Sequence, residues 1–446
     1  MFCQLRLAYR KTAAGAIFAA ASAAQAGIVI PAGDWTLDVS GNVNAYNIYS
    51  QSKGTATVAG GLSGAGTATK DVTTSGMQNG LLPNFLSIGA STRQNDLDVA
   101  FVISLQPGTG ATNSLAQVGS AGNAGLNNRQ AFMTFGDKSW GSVKLGKDLG
   151  VFASDAILND MTLLGVGATL GGSTSAGNTT LGRIGTGYIY AEWKPQITYT
   201  TPNMSGFQAT VGISQAMTAG SLANSTLTAT STIDANGVVS AGASTGRILS
   251  KTGAAQSNPA YEGKISYSFA ANDVTGKVWV SGLAQRAGVS ANDEKTVYVG
   301  DIGANVNAAG FGLTGYYYAG QGIGTTGQML DGYSAFNGNA RDSDGGYVQA
   351  TYVLPTKTKV GVSWGISNLD LASGENNTVA SYSSSTVASA SAGVLVKENE
   401  MWTAGIYHPL TKHLNLVGEY SHLKSTNQAN AENKTNVGSV GAILFF

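Results

Sequence analysis

The chain has 446 residues, 25 Lys+Arg against 25 Asp+Glu, and only 11% charged residues, where an ordinary soluble domain carries roughly 25%. That shortage of charge, beside 61 glycines, 18 tyrosines, 13 phenylalanines and 6 tryptophans, argues against a soluble enzyme, and the charge balance gives no hint of a nucleic-acid partner. The single cysteine, Cys3, falls in the first 26 residues, so the rest must be stabilised by backbone pairing and burial without disulfides.

Residues 1–26 read as a targeting segment. Arg6, Arg10 and Lys11 precede an apolar run over 13–24 that ends in the small-residue pattern Ala24-Gln25-Ala26. The run is shorter than the ~20 residues a membrane-spanning helix needs, so a cleaved export signal is expected rather than an anchor. Without it, residues 27–446 keep 22 of the 25 basic residues and all 25 acidic ones, a formal charge of −3. No later apolar run reaches 18 residues, so no transmembrane helix is expected.

Apolar and polar residues alternate instead. In 97–105, Leu97, Val99, Phe101, Ile103 and Leu105 share one face, and Asp98, Ala100, Val102 and Ser104 the other. Nine such residues match the ~9–11 of a tilted membrane strand. Residues 261–269 repeat the pattern if a one-residue irregularity near Gly263 is allowed. In 413–423, Leu414, Leu416 and Tyr420 oppose His413, Asn415, Glu419 and Ser421. Segments of this kind fall near 34–49, 80–91, 97–106, 127–137, 141–147, 186–200, 206–215, 259–270, 274–286, 294–306, 310–320, 344–354, 358–369, 399–408, 413–425 and 434–446. Sixteen is an even number, as a bacterial outer-membrane barrel requires. Short turns such as Ala271-Asn272-Asp273 alternate with mostly long segments, at 50–79, 107–126, 148–185, 216–258, 321–343 and 370–398. The expected fold is all-β, a transmembrane antiparallel barrel of about 16 strands over residues 27–446. Its last strand sets Val440, Ala442, Leu444 and Phe446 on one face.

The stretch 127–186 stands apart. Two strands with a tight turn are followed by a connection too long for a hairpin, and long loops inside compact folds are usually functional. It carries Gly146-Lys147-Asp148-Leu149-Gly150, then Asn159-Asp160-Met161, then Leu181-Gly182-Arg183-Ile184. In order and spacing these marks resemble the entry, acidic turn and exit of the inward-folded loop in the trimeric general porins of Gram-negative outer membranes.

The resemblance implies a water-filled pore for passive diffusion of small hydrophilic solutes and ions, a homotrimer set in outer-membrane lipid, and a constriction loop at about 148–185. It also implies that the C-terminal strand with Phe446 is the signal read by the barrel-assembly machinery. Lys147 and Arg183 match basic wall positions of the constriction, and Asp160 one of two loop acids. The second acid falls at Leu164 and a further wall arginine at Ser87, so a less charged constriction is expected. Asp155 and Lys144 are weaker candidates. Lys147 shares the parity of Val143 and Leu145, so strict alternation turns it outward unless the strand ends or bulges there. The direction of Arg129 stays open.

Enzyme signatures are thin. His408, His413 and His422 lie in the last 40 residues, the first two flanking a proline turn, and Gly165–Gly171 misses dinucleotide spacing. Gly361-Val362-Ser363-Trp364-Gly365 matches Gly-x-Ser-x-Gly but sits inside an expected strand with no helix to follow. Neither an enzyme nor a cofactor nor a bound metal is expected. Two rival readings are an exported structural or adhesive β-protein without a pore, and a substrate-specific or plugged channel. The second would show an aromatic ladder along the lumen, and Tyr316-Tyr317-Tyr318 places at most two tyrosines on one face.

Overall fold

The computed structural model describes all residues except 1–26, 110–125, 173–177, 220–231, 234–238, 241–257, 291–292, 335–336 and 379–391. The expected export signal lies outside the described residues, as do parts of the loops 107–126, 148–185, 216–258, 321–343 and 370–398.

Sixteen long strands close one antiparallel sheet. They are β1 (Trp35–Lys53), β2 (Phe85–Gln94), β3 (Leu97–Pro107), β4 (Ala131–Asp137), β5 (Gly141–Leu149), β6 (Trp193–Thr200), β7 (Phe207–Ser214) and β8 (Ala260–Ala271). The circuit continues through β9 (Val274–Ser290), β10 (Asp293–Ala308), β11 (Phe311–Gln321), β12 (Asp342–Val353), β13 (Lys359–Leu369), β14 (Val396–Pro409), β15 (Leu414–Asn427) and β16 (Glu432–Phe445). β16 returns to β1 in register from Asn42↔Phe445 to Lys53↔Lys434. Gly41 and Phe446 then exchange backbone hydrogen bonds of 2.8 and 3.1 Å, so the last residue helps seal the seam. Below it the short strand Ile28–Ala32 pairs with Trp35–Val39 and continues the column that β16 leaves.

Closure gives each of the sixteen strands a neighbour on both sides, so the wall can satisfy its backbone inside a membrane. Side-chain alternation then sorts residues. Ile103, Val211, Ile302, Leu313, Val362 and Val440 are exposed on the outer face, whereas Ser104, Thr198, Ser363 and Thr403 are buried on the inner one. Tight turns close one end; Asn95 (φ 47°) and Asp96 (φ 62°) make the two-residue link between β2 and β3, a left-handed pair that matches strand twist.

Three expectations change. β8 pairs with β9 from Tyr261↔Ala284 to Ala271↔Val274 without a register shift, so no irregularity exists at Gly263. The strand expected from 186 starts only at Trp193. Gly187 (φ 142°) and Glu192 (φ 62°) break the extended run, and Tyr190 N–H donates to Thr326 O instead of to a neighbouring strand. The strand expected from 80 is also split. Val72–Gln78 and β2 both pair with β1, while residues 79–84 turn inward and Leu81 N–H reaches Gly165 O at 2.8 Å.

Candidate functional site: an inward loop seated on the barrel wall

Between β5 and β6, the described residues of the loop 150–192, that is 150–172 and 178–192, cross the interior. They hold one turn of helix, α1 (Ser154–Leu158), and a tighter turn over Met161–Leu164. Backbone inside a barrel has no ladder to join, so each buried N–H and C=O needs another partner. The wall supplies them.

At the entry, Glu262 of β8 accepts from Val151 N–H (2.8 Å) and Phe152 N–H (2.9 Å) through one oxygen. Its other oxygen takes the Ser214 hydroxyl at 2.5 Å and pairs with Lys194. In the middle, Glu419 of β15 repeats the motif, accepting from Val166 N–H (2.7 Å) and Gly167 N–H (2.9 Å), and from the Tyr407 hydroxyl at 2.6 Å. Two consecutive amides around one carboxylate form a small anion nest. The approach is close enough that a Cβ on Gly165 would lie 2.0 Å from the Glu419 carboxylate. Glycine here is a packing requirement.

The polarity reverses at α1. Asp155 of the loop is held by two wall lysines, Lys264 at 2.8 Å and Lys277. Burial pushes its carboxyl up, but the two ammonium groups outweigh burial and hold it below its ordinary value. A depressed folded pKa gives stability that is complete above the unfolded value of about 3.9 and is lost as pH falls through the folded value. The difference in thermal midpoint between wild type and Asp155→Asn is therefore expected to stay constant from neutral pH to about 5 and to shrink only below about 4; a difference that already disappears at pH 6 would contradict this anchor.

Further along, the Tyr347 hydroxyl donates to Ala156 O (2.8 Å), Gln349 bridges Asn159 O and Met161 N–H, and the Tyr46 hydroxyl reaches Leu164 O at 2.5 Å. Asp160 caps the Met161–Leu164 turn through Thr162 N–H at 2.9 Å and also accepts from Arg183 N–H (3.2 Å) and the Tyr188 hydroxyl (3.0 Å). Arg183, fully buried, donates to Met401 O at 3.0 Å and to Ser363 Oγ. The Ser of the Gly-x-Ser-x-Gly stretch is thus a seat for the loop.

The sequence candidates separate accordingly. Asp155, Asp160 and Arg183 all lie on the inward loop, and Arg183 belongs to the loop rather than to the wall. Lys144 faces inward and pairs with Asp148. Lys147 does not face the lumen, because β5 neither ends nor bulges there. It stands across from Ala131 and Pro195, on the face of exposed Met133 and Ile197, and donates to Asn128 O at 2.7 Å. Arg129 stacks over Trp193, 5.8 Å from the ring centre.

Glu262, Glu419, Lys264, Lys277 and Lys194 were missed as site residues. Their signal was charge at inward parity on strands otherwise rich in Ser and Thr. A tyrosine group was missed too: Tyr188, Tyr316 and Tyr347 have ring centres 5.7–6.5 Å apart, with Tyr318 6.4 Å from Tyr316. The group, Tyr188 of the loop packed on wall tyrosines, is buried, and so is no ladder along an open path.

Residues 12–428 match the sequence model of a family described as Gram-negative porin. The chain belongs to the Gram-negative porin family. The fold of this porin is similar to that of the outer-membrane channel DcaP of Acinetobacter baumannii (16% identity, TM-score 0.60, covering 95% of this chain and 100% of that one). It is also similar to an anion-selective porin from Comamonas acidovorans (15%, 0.53, 92% and 100%) and to OmpF of Salmonella typhi (12%, 0.51, 94% and 100%). A search of curated proteins found no match. Family and barrel together make this porin an outer-membrane pore for passive diffusion of solutes. Both are those of channels, and the closed barrel displaces the reading as an adhesive β-protein.

Proposed function

We propose that this porin is an exported homotrimer whose bottleneck for small hydrophilic solutes and ions is set by the inward loop 150–192, with no catalytic role. The observation that carries this is the double seating of the loop on Glu262 and Glu419, which fixes it across the lumen. In the ion pairs that Lys144, Lys264 and Lys277 make beside the loop, the ends that meet water are the ammonium groups. Side-chain exposure is 27% for Lys144, 20% for Lys264 and 32% for Lys277, against 6% and 5% for their partners Asp148 and Asp155. Exposed charge of one sign biases a pore toward the opposite ion, so the channel prefers anions; one structural neighbour is named an anion-selective porin. Reversal potential in a tenfold KCl gradient tests the preference: a value of cation-selective sign would contradict it, and Lys264→Gln with Lys277→Gln is expected to move it toward zero. Liposome swelling with sugars of increasing size tests the pore itself.

Lys147 supports the trimer. Six residues above Gly141 at ~3.3 Å each along a strand tilted ~40°, it stands about 15 Å from the turn, near the middle of the ~25 Å apolar band. A lysine facing lipid at that depth costs about 2–4 kcal/mol, whereas a second copy offers carbonyl or carboxylate partners. Lys147→Met is therefore expected to lower the temperature at which the oligomer dissociates in detergent and to leave unit conductance unchanged. A more heat-resistant oligomer would place this face against lipid instead.

A further inference from the structure

We infer that the tip of the first long loop, residues 59–64, is a second constriction element, with Leu62 wedged between the barrel wall and the inward loop and sharing control of the solute size limit. This rests on the pore reading above.

The tip turns into the barrel instead of out toward solvent. Leu62 N–H donates to Asn399 Oδ1 (3.1 Å) and Ser425 Oγ (3.0 Å), Ser63 N–H to Ser425 Oγ (2.9 Å), and Gly64 N–H to Thr435 Oγ1 (2.9 Å). The Ser63 hydroxyl adds a bond to Leu423 O at 3.0 Å, and Asn399 Nδ2 reaches Gly60 O at 3.2 Å. These wall partners belong to β14, β15 and β16. A second loop braces the tip, for Ala59 exchanges 2.8 Å backbone bonds with Val394 and Val396.

Burial gives the tip its place in the pore. Asn399, Met401, Leu423, Ser425 and Thr435 point inward and are all 0% exposed, whereas outward Trp402 is 43% exposed. An open lumen wets its lining, so something fills the lumen beside these five. Leu62, itself 0% exposed, clusters there with Met401, Leu423 and Ala168 of the inward loop. Contact with the inward loop is close on two sides. A Cβ on Gly185 would come within 2.9 Å of Leu62 Cδ1, and one on Gly64 within 2.6 Å of Gly171 O. The wedge therefore backs the second half of the inward loop and occupies cross-section along β14–β16.

The test compares full-length wild type with Leu62→Asp and with a deletion of residues 60–63, each first shown to fold by heat-modifiable migration. Planar-bilayer steps and liposome swelling are the readouts. Removing the wedge is expected to raise unit conductance by roughly 1.5-fold or more, because throughput follows pore cross-section, and to admit larger sugars. Folded variants with wild-type conductance and size limit would overturn the inference and leave the pore reading standing. If the deletion does not fold, Leu62→Asp decides by the same criterion, since it keeps the backbone bonds and puts a charge in an apolar seat. A silent wild type with conducting variants would overturn the open-pore reading while upholding the wedge, and silence from all would overturn both.

Discussion

Replacing Glu262 with alanine is expected to release the entry of the inward loop and to cost more than any other single change in the lumen. One carboxylate holds Val151 and Phe152 N–H, the Ser214 hydroxyl and Lys194. Both members of the ion pair have side chains 1% exposed. Removing one partner of a buried pair typically costs about 3–5 kcal/mol, because the other charge stays buried without compensation. Lys194 would keep a hydrogen bond to Gln328 Oε1 at 3.0 Å and the charge of nearby Glu192, but lose its ion-pair contact. Each stranded amide adds about 1–3 kcal/mol, although losses at one hub do not simply add. The expected results are a lower unfolding temperature in detergent and larger, noisier current steps. Glu262→Gln keeps acceptor capacity and loses the charge, so it should fall between. Wild-type stability and quiet steps in Glu262→Ala would mean that the loop is held elsewhere.

Arg183→Ala is expected to free the loop's return without disturbing its entry. The guanidinium reaches two strands at once, Met401 O on β14 and Ser363 Oγ on β13. Burial draws its pKa down against the pull of Asp160, from a starting value so high that it remains a cation at neutral pH. Truncation removes the largest fully buried side chain among the described residues and leaves Met401 O without that donor. Unit conductance should rise, with stability reduced by about 2–4 kcal/mol, the scale of losing hydrogen bonds from a buried charged group and leaving a void. Arg183→Lys should recover little, since one ammonium cannot reproduce the planar fork. Full rescue by lysine would show that charge alone matters there.

The barrel itself was legible in the sequence. Alternation in 97–105 and 413–423 reports a wall with one apolar and one polar face, and the ladder keeps that parity. The start of the loop was legible too, since Gly146–Gly150 brackets the end of β5 at Leu149, but Arg183 lies inside the loop, which runs on to Trp193. The loop's seats were not legible. Period two tells which face Glu262 or Glu419 occupies, but which loop segment lands on that face depends on contacts more than a hundred residues apart. The split near residues 79–84 was hidden for a similar reason, since Leu81 leaves the sheet to pair with Gly165. Lys147 is the instructive case. Parity argued for the outer face and family resemblance for the lumen, and an unbroken β5 ladder follows parity.

The central claim is that a water-filled barrel is narrowed by a loop fixed to its wall at Glu262 and Glu419. Single-channel conductance of the refolded protein in a planar bilayer, wild type beside Glu262→Ala, tests it most directly. The account predicts long-lived wild-type steps grouped in threes and larger, less stable steps for the variant. Folded, heat-modifiable wild-type protein that gives no steps, or a variant with identical ones, would contradict it.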